Sequence, residues 1–186
     1  MPVVIDATVG GTSANSYSTL NEADTYHASH TNSSIWDAAT TDQKNRALVM
    51  ATRLLDQHVE WKGYASSDTQ ALQWPRIYVP IEKKLLLYPP GHPEFNYWGI
   101  YLPSDVIPQH LKDATAEFAR QLLATDRTVD DDVSARGITR IAAGAVDISF
   151  KGTIRPNVVP DAVMAMLWRW GSLKDRAVTN VKLVRA

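Results

Sequence analysis

The stretch Thr40–Glu60 reads TTDQKNRALVMATRLLDQHVE and carries the strongest helical pattern in the chain. Thr40 and Gln43 have the spacing of a capping box, in which each side chain bonds the backbone N–H of the other residue at a helix start. Apolar residues then recur at helical spacing. The pattern predicts an amphipathic helix over 41–60, whose inward face comprises Ala47, Leu48, Ala51, Leu54, Leu55 and His58 or Val59.

Further helices are predicted on both sides of this segment. Thr19 and Glu22 form a second capping box, which predicts a helix over 20–29. Ser104 and Pro108 open a helix that runs to about residue 125, and Pro160 opens a last short one that Gly171 ends. A turn of helix over 69–74 would stop at Pro75, and residues 29–36 are predicted to form a turn that places Ile35 and Trp36 in the core.

The remaining segments lack a helical period. Residues 1–16 predict an extended arm that ends in a Gly-rich loop, and Val146, Ile148 and Phe150 alternate with polar residues. That alternation predicts a strand in a hairpin with 137–141, turning near Ala143 and Gly144. Residues 77–103 hold five of the ten prolines and many aromatics, which favours a large ordered loop or β-arm.

These elements predict a mainly α fold. We expect one domain over 1–186: a small helical bundle with an extended N-terminal arm, an aromatic and Pro-rich insertion, a C-terminal β-hairpin and a tail. The helical core would comprise 19–76 and 104–126, with the insertion at 77–103 and the hairpin, short helix and tail over 137–186. The core residues predicted to anchor the bundle are Tyr17, Tyr26, Trp36, Leu48, Leu55, Trp61, Trp74, Pro75 and Phe118.

Composition narrows the class of protein. The chain has 186 residues, 45% of them hydrophobic, with six Trp and no Cys, and its net charge is −1. These values favour a folded, soluble protein made in a reducing compartment, with no disulfides and no membrane partner. Proteins that grip nucleic acid usually show a basic excess, so the near-neutral charge counts against a dedicated DNA binder.

Candidate chemical sites are sparse in the sequence. His27 and His30 lie one helical turn apart near Glu22 and Asp24, but no further ligand completes a metal site, so exposed or capping histidines are favoured. The acidic run 130–132 lacks the ligand alternation of a calcium loop and is interpreted as a solvated turn. No nucleophile has a recognisable base. We therefore expect no catalytic residue, no metal and no cofactor.

Trp74-Pro75-Arg76 raises the main functional question, because aromatic residues with cations can stack single-stranded bases. The cations near the aromatic residues are few, and Trp and Tyr are equally common where proteins contact one another. The composition therefore favours a core or interface role for these aromatics over base stacking.

Three separated stretches carry a family resemblance. GTSANSYSTLNEADTYHASH (11–30), the segment from Trp36 through QALQWPR (70–76), and PSDVIP (103–108) with its following helix are similar to tailed-phage proteins often labelled DnaT-like single-stranded-DNA-binding proteins. By structural kinship these resemble head–tail adaptor, or connector, proteins of the phage neck. The resemblance spans about the first two thirds of the chain; the long insertion and the C-terminal third depart from it.

The resemblance implies a structural protein with no enzymatic activity. Its copies would form a ring, dodecameric in such adaptors, under the portal protein, and a tail-side neck, tail or fibre protein would dock below. Genomic double-stranded DNA would pass through the channel without sequence-specific binding. The expected location is the virion neck, and the host cytoplasm during assembly. The alternative is a single-stranded-DNA-binding protein of phage replication.

Two sets of residues are predicted to make these contacts. A basic tail without a helical or strand period would order on the portal, and the aromatic insertion would pack on a neighbouring copy or a tail-side protein. The portal set is Leu173, Lys174, Arg176, Val181, Lys182, Leu183, Val184 and Arg185, and the subunit or tail-side set is Tyr88, Phe95, Tyr97, Trp98 and Tyr101.

Overall fold

The computed structural model describes residues 2–81, 101–128, 140–143, 146–149 and 157–174. Five helices lie within these ranges: α1 Leu20–Ala28, α2 Ser34–Ala38, α3 Thr41–His58, α4 Gln109–Ala124 and α5 Asp161–Leu167. The strands are β1 Val59–Trp61, β2 Tyr64–Ala65, β3 Arg76–Ile77, β4 Arg140–Ala143, β5 Val146–Ser149 and β6 Gly171–Leu173. They form three two-stranded antiparallel sheets, β1 with β6, β2 with β3 and β4 with β5. The fold is therefore mainly helical, with small two-stranded sheets.

Helix α3 and helix α4 form the centre of the core. Leu48 and Leu55 on α3 are fully buried, as are Leu111 and Phe118 on α4. Each such side chain stabilises the folded chain by about 1.5–3 kcal/mol relative to leaving it in water. Helix α1 lies against α4, where Lys112 donates to Glu22 at 2.6 Å. Helix α5 also packs on α4, and Val163 and Leu167 are its buried residues.

Both predicted capping boxes are present. Thr19 accepts from the Glu22 backbone and Glu22 from the Thr19 backbone, and Thr40 and Gln43 make the same exchange. These local hydrogen bonds start α1 and α3 at the predicted residues because they satisfy backbone N–H groups that a helix start otherwise leaves unpaired. The Pro108 and Pro160 positions are also N-caps, as the sequence indicated.

Helix α3 ends two residues earlier than predicted. Val59 and Glu60 belong to β1, which pairs with β6 in the register Val59↔Leu173 and Trp61↔Gly171. A partner more than a hundred residues away along the chain thus overrides the local helical pattern. The predicted turn over 29–36 leads into α2, which begins at Ser34; Trp36 is buried as predicted, whereas Ile35, predicted to lie in the core, is exposed.

Helix α5 ends at Leu167 rather than running to Gly171, which is the first residue of β6. A Cβ at Gly171 would lie 2.5 Å from Val59 Cγ1 and 3.0 Å from Trp61 Cε3. Glycine is therefore required at this position by the close approach of β1, and not as the helix terminator that the sequence indicated.

The predicted helical turn over 69–74 is also absent, since residues 66–75 form a looped segment of turns and bends. Its backbone N–H groups bond outward: Ala71 N donates to the Gly11 carbonyl at 3.0 Å, and Gln73 N donates to Asp56 Oδ2 at 3.1 Å. The Gln70 side chain fills the interior of the loop, where it donates to the Leu72 and Pro75 carbonyls. Long-range and side-chain bonds replace the helical ones.

The predicted hairpin agrees in part with the described backbone: Ala143, predicted to lie in the turn, ends the strand Arg140–Ala143, and residues 137–139 lie outside the described ranges. Residues 140–143 and 146–149 pair as the hairpin strands, with Ala143 opposite Val146, while the intervening turn lies outside the described residues. The two ends of the insertion also pair, through the Pro80↔Tyr101 bridge and a 2.8 Å bond from Leu102 N to the Val79 carbonyl. The acidic run 130–132 and residues 82–100 lie outside the described ranges. None of the described helices is both long and apolar enough to cross a bilayer.

Candidate functional site

The Trp74-Pro75-Arg76 triplet lies in the interior of the fold. The Trp74–Pro75 peptide bond is cis, and both residues are buried. The Trp74 ring meets Trp61 edge-on with 5.8 Å between centroids and Trp170 at 6.3 Å. Because these three indoles cover one another, Trp61 and Trp74 have no exposed face on which a nucleic-acid base could stack.

Arg76 is buried as well, at 8% exposure, and it donates to backbone carbonyls rather than to a carboxylate. Its Nε bonds Lys62 O at 2.8 Å, Nη2 bonds Gly63 O at 2.6 Å, and Nη1 bonds both oxygens of Gln73. The planar guanidinium thus ties the β1–β2 connection to the loop before β3. Burial lowers the pKa of Arg76, while the nearby Tyr17 and Asp56 act to raise it.

Asp56 and Tyr17 complete this interior polar cluster. The Tyr17 hydroxyl donates to Asp56 Oδ1, and Gln73 N donates to Oδ2 at 3.1 Å. Burial raises the pKa of the Asp56 carboxyl, although both of these hydrogen bonds act to lower it. Burial, together with the Asp56 charge, also raises the pKa of Tyr17. The cluster joins α3 to the residues before α1 and to the 66–75 loop, so its geometry serves the fold.

The four residues considered for a metal site are occupied in separate interactions. His27 is buried and its Nε2 lies 3.1 Å from the Ala116 carbonyl, while His30 Nε2 lies 3.7 Å from Glu117. Asp24 accepts from the Trp36 indole at 2.7 Å, and Glu22 caps α1 and pairs with Lys112. In the part of the chain that the structure describes, no three His, Asp or Glu side chains are placed to hold a metal ion.

Of the exposed aromatic residues that the structure describes, Tyr101 belongs to the predicted subunit or tail-side set, and the others lie outside that set. Tyr78 and Tyr101 are exposed and meet edge-on at 5.6 Å where the two ends of the insertion pair; Tyr64 is exposed on the neighbouring β2. Trp168, after α5, is 66% exposed, and the Arg169 guanidinium lies 5.5 Å from its ring. Sequence reasoning did not single out Trp168, because the alternation Trp168-Arg169-Trp170 does not reveal which indole faces the core.

A pocket lies between the first half of α3 and the end of α4. Its volume is about 320 Å³; Ala47, Met50, Leu122 and Leu123 supply its apolar lining. Gln43, Arg46, Asp126 and Thr128 supply the polar groups around them. An apolar pocket with a polar rim can accept a large apolar side chain of another protein. The sequence placed the apolar lining residues on two helices but did not indicate that a pocket would remain between them.

The structure describes only some of the residues predicted to contact the portal or a neighbouring copy. Leu173 is half-buried in β6, and Lys174 donates from its side chain to the Asp56 and Gln57 carbonyls at the end of α3. Both are therefore part of the fold rather than of a tail without structure. The residues predicted to bind the portal from 176 onward, and Tyr88, Phe95, Tyr97 and Trp98 of the insertion, lie outside the described ranges.

Of the core residues predicted for the bundle, seven are fully in the core and two differ from the prediction in detail. Tyr26 is half-buried against the core, and Pro75 is buried within the 66–75 loop rather than at a helix end. The residues that lie in the core are Tyr17, Trp36, Leu48, Leu55, Trp61, Trp74 and Phe118.

Comparison with known proteins gives one match. No curated protein matches the chain, and no solved structure does. A family model described as "Putative DnaT-like ssDNA binding protein" matches residues 1–186, the whole length of the chain. The match thus includes the insertion and the C-terminal third, which the sequence motifs did not connect with the family, and the chain belongs to this DnaT-like family.

Proposed function

We propose that this chain is a structural neck protein of a tailed bacteriophage, a head–tail adaptor that forms a ring under the portal. The ring extends the DNA channel and docks tail or head-completion proteins. The proposal attributes no catalysis, cofactor or metal to the chain. Its site of action is the head–tail interface of the virion, after assembly in the host cytoplasm.

One observation carries the proposal: among the residues that the structure describes, some aromatic side chains form a buried set and others an exposed set. Trp61, Trp74 and Trp170 cover one another in the core, whereas Tyr64, Tyr78, Tyr101 and Trp168 lie on the surface. Exposed Tyr and Trp are the residues most enriched at protein contacts. A ring in which each copy contacts two neighbours needs such surfaces on each subunit.

The near-neutral net charge supports the same proposal. The chain carries 19 basic and 20 acidic residues. Arg76 in the family motif donates its N–H groups to carbonyl oxygens within the fold. Tight binding of nucleic acid depends on cations that neutralise phosphates. A ring of near-neutral subunits would let genomic DNA slide through its channel.

The test is co-assembly with the portal protein encoded in the same genome. The two proteins are mixed, separated by size and imaged by electron microscopy, with an unrelated portal as the control. We expect the chain to co-migrate with its own portal as a ring on one face. Free chain and unchanged portal at micromolar concentrations of both would refute the adaptor role.

A second candidate function is single-stranded-DNA binding, and one observation favours it. Trp168 is exposed with Arg169 at 5.5 Å from its ring, and the Lys62 side chain donates to the Arg169 carbonyl at 2.7 Å. An aromatic face with cations beside it is the usual platform for an unpaired base. This function predicts salt-sensitive binding of oligothymidylate that Trp168→Ala abolishes and Trp74→Phe leaves intact. The adaptor proposal predicts no such binding at 150 mM salt.

A further inference from the structure

Trp168 is held as a fixed projection on the surface. The neighbouring Trp170 is buried at 6% exposure, and its carbonyl accepts from Lys62 N at 2.8 Å. The Lys62 side chain also bonds the Arg169 carbonyl, so the backbone on the C-terminal side of Trp168 is tied to the end of β1. The backbone beside this indole therefore loses little freedom when a partner buries the side chain, which favours an effective interface residue.

The α3–α4 pocket has the character of a receptor for such a side chain. Four of its eight lining residues are apolar, and its volume of about 320 Å³ lies within the range of small-ligand pockets. Arg46 and Asp126 both stand at its rim, where Arg46 pairs with Asp42 at 2.7 Å. Asp126 is exposed, lies two residues after the end of α4, and accepts from the Thr128 backbone N–H at 2.9 Å. A guanidinium beside an inserted indole would therefore meet a carboxylate at the pocket edge, and Arg169 is the residue next to Trp168.

The projection and the pocket lie at opposite ends of α3. Lys62, which bonds the Trp168 segment, follows the C-terminal end of the helix, whereas the pocket is built on Gln43 to Met50. From Ala47 to His58 the helix axis spans about 16 Å at 1.5 Å per residue. One copy therefore cannot fill its pocket with its own Trp168, which stays bonded to the far end of the helix.

We propose that Trp168 of one copy inserts into the α3–α4 pocket of the next copy, with Arg169 beside Asp126 of that copy. Two different surfaces then meet, which is a head-to-tail contact that closes into a ring when the rotation between copies permits. The inference rests on the proposed ring function and deepens it, because it names the residues at the subunit contact.

The absence of cysteine from the chain allows a selective cross-linking test. The double variant Arg169→Cys/Asp126→Cys is oxidised at high protein concentration and separated without reductant. We expect a ladder of dimer, trimer and larger species, because each copy carries both halves of the contact. Either single variant yields at most a dimer, and a mixture of the two single variants stops at the dimer.

The matched control is Arg53→Cys/Asp126→Cys, in which the exposed Arg53 of α3 replaces the residue beside Trp168. It should give no ladder. Absence of the ladder from the first double variant, or an equal ladder from the control, would overturn the contact. Thermal unfolding of each reduced variant establishes that the variants are folded.

A charge exchange provides a second measurement. Light scattering at high concentration should show weaker self-association for Trp168→Ala and for Arg169→Asp, with recovery in Arg169→Asp/Asp126→Arg. Failure of the double variant to recover would contradict the pairing.

If rings form on the portal but the cross-linked ladder is absent, the Trp168 contact is refuted and the adaptor function is retained. If the ladder forms but the chain does not bind the portal, the contact is retained and the adaptor function is refuted. Loss of oligothymidylate binding in Trp168→Ala, without a ladder, assigns Trp168 to nucleic acid instead.

Discussion

Arg76 Nη2 donates to the carbonyl of Gly63 at 2.6 Å, and this bond connects the family motif to the turn between β1 and β2. Gly63 itself has a φ of 73°, and a Cβ there would lie 2.2 Å from the Ile77 carbonyl. The guanidinium thus stabilises a turn that only glycine can form. The motif that identifies the family serves the architecture around the three buried indoles.

Arg76→Lys should therefore destabilise the fold. An ammonium cannot replace a planar donor that bonds the Lys62, Gly63 and Gln73 carbonyls at once. We expect a loss of about 3 kcal/mol in the free energy of unfolding, since a buried charge loses several hydrogen bonds. Urea denaturation measures it, with Arg53→Lys on the exposed face of α3 as the control. Equal stability of the two variants would show that the Arg76 bonds contribute little.

Gly171→Ala should weaken the β1–β6 pair. The added methyl group would overlap Val59 Cγ1, and overpacking of this kind costs about 1–3 kcal/mol. We expect a lower melting temperature for Gly171→Ala and almost no change for Ser172→Ala, whose side chain is exposed. A wild-type melting temperature for Gly171→Ala would contradict the close approach of the two strands.

His27 should make the fold sensitive to acid. Burial lowers the pKa of His27, although its bond to the Ala116 carbonyl and the Glu117 charge oppose that shift. The folded protein therefore favours neutral His27, whose stabilising contribution is complete above the unfolded pKa of about 6.5 and is lost as pH falls. We expect His27→Gln to reduce the loss of stability between pH 7 and pH 5.

The control for His27 is His30→Gln, in which the replaced histidine is less buried and pairs with Glu117. Melting temperatures of the three proteins across the pH range provide the comparison. Parallel curves for wild type and His27→Gln would exclude His27 as the source of acid sensitivity.

Asp56 should make the folded protein less stable as pH rises, which is the opposite of the effect of His27. Because burial raises its pKa, the folded protein favours the protonated carboxyl. That contribution is complete below the unfolded pKa of about 3.9 and is lost as pH rises through the folded value. The stability of Asp56→Asn relative to wild type should thus increase as pH rises from 4. Asp68→Asn, at an exposed position of the loop, is the matched control.

Local signals made part of this fold predictable. The capping boxes at Thr19 and Thr40 involve residues three positions apart, so the sequence alone located the starts of α1 and α3. The end of α3 was not predictable in this way, because Val59 and Glu60 form a strand only when residues 171–173 lie beside them. The same distant contact explains why Gly171 was misinterpreted as a helix terminator.

The candidate surfaces were less predictable than the core. A Trp is compatible with either location, and only the packing of α5 and β6 buries Trp170 while it exposes Trp168. The pocket depends on how far Met50 and Leu122 fill the space between α3 and α4, which their spacing along the chain does not determine. The sequence therefore favoured an interface role for the aromatics and identified Tyr101 among them, but it did not identify Tyr64 or Trp168 as exposed.

The adaptor role is tested most directly by electron cryo-microscopy of particles of the phage that encodes the chain. We expect a closed ring of copies between the portal and the tail, with α3 and α4 recognisable in each subunit. It would be contradicted if the chain were absent from particles and recovered instead on single-stranded DNA from infected cells.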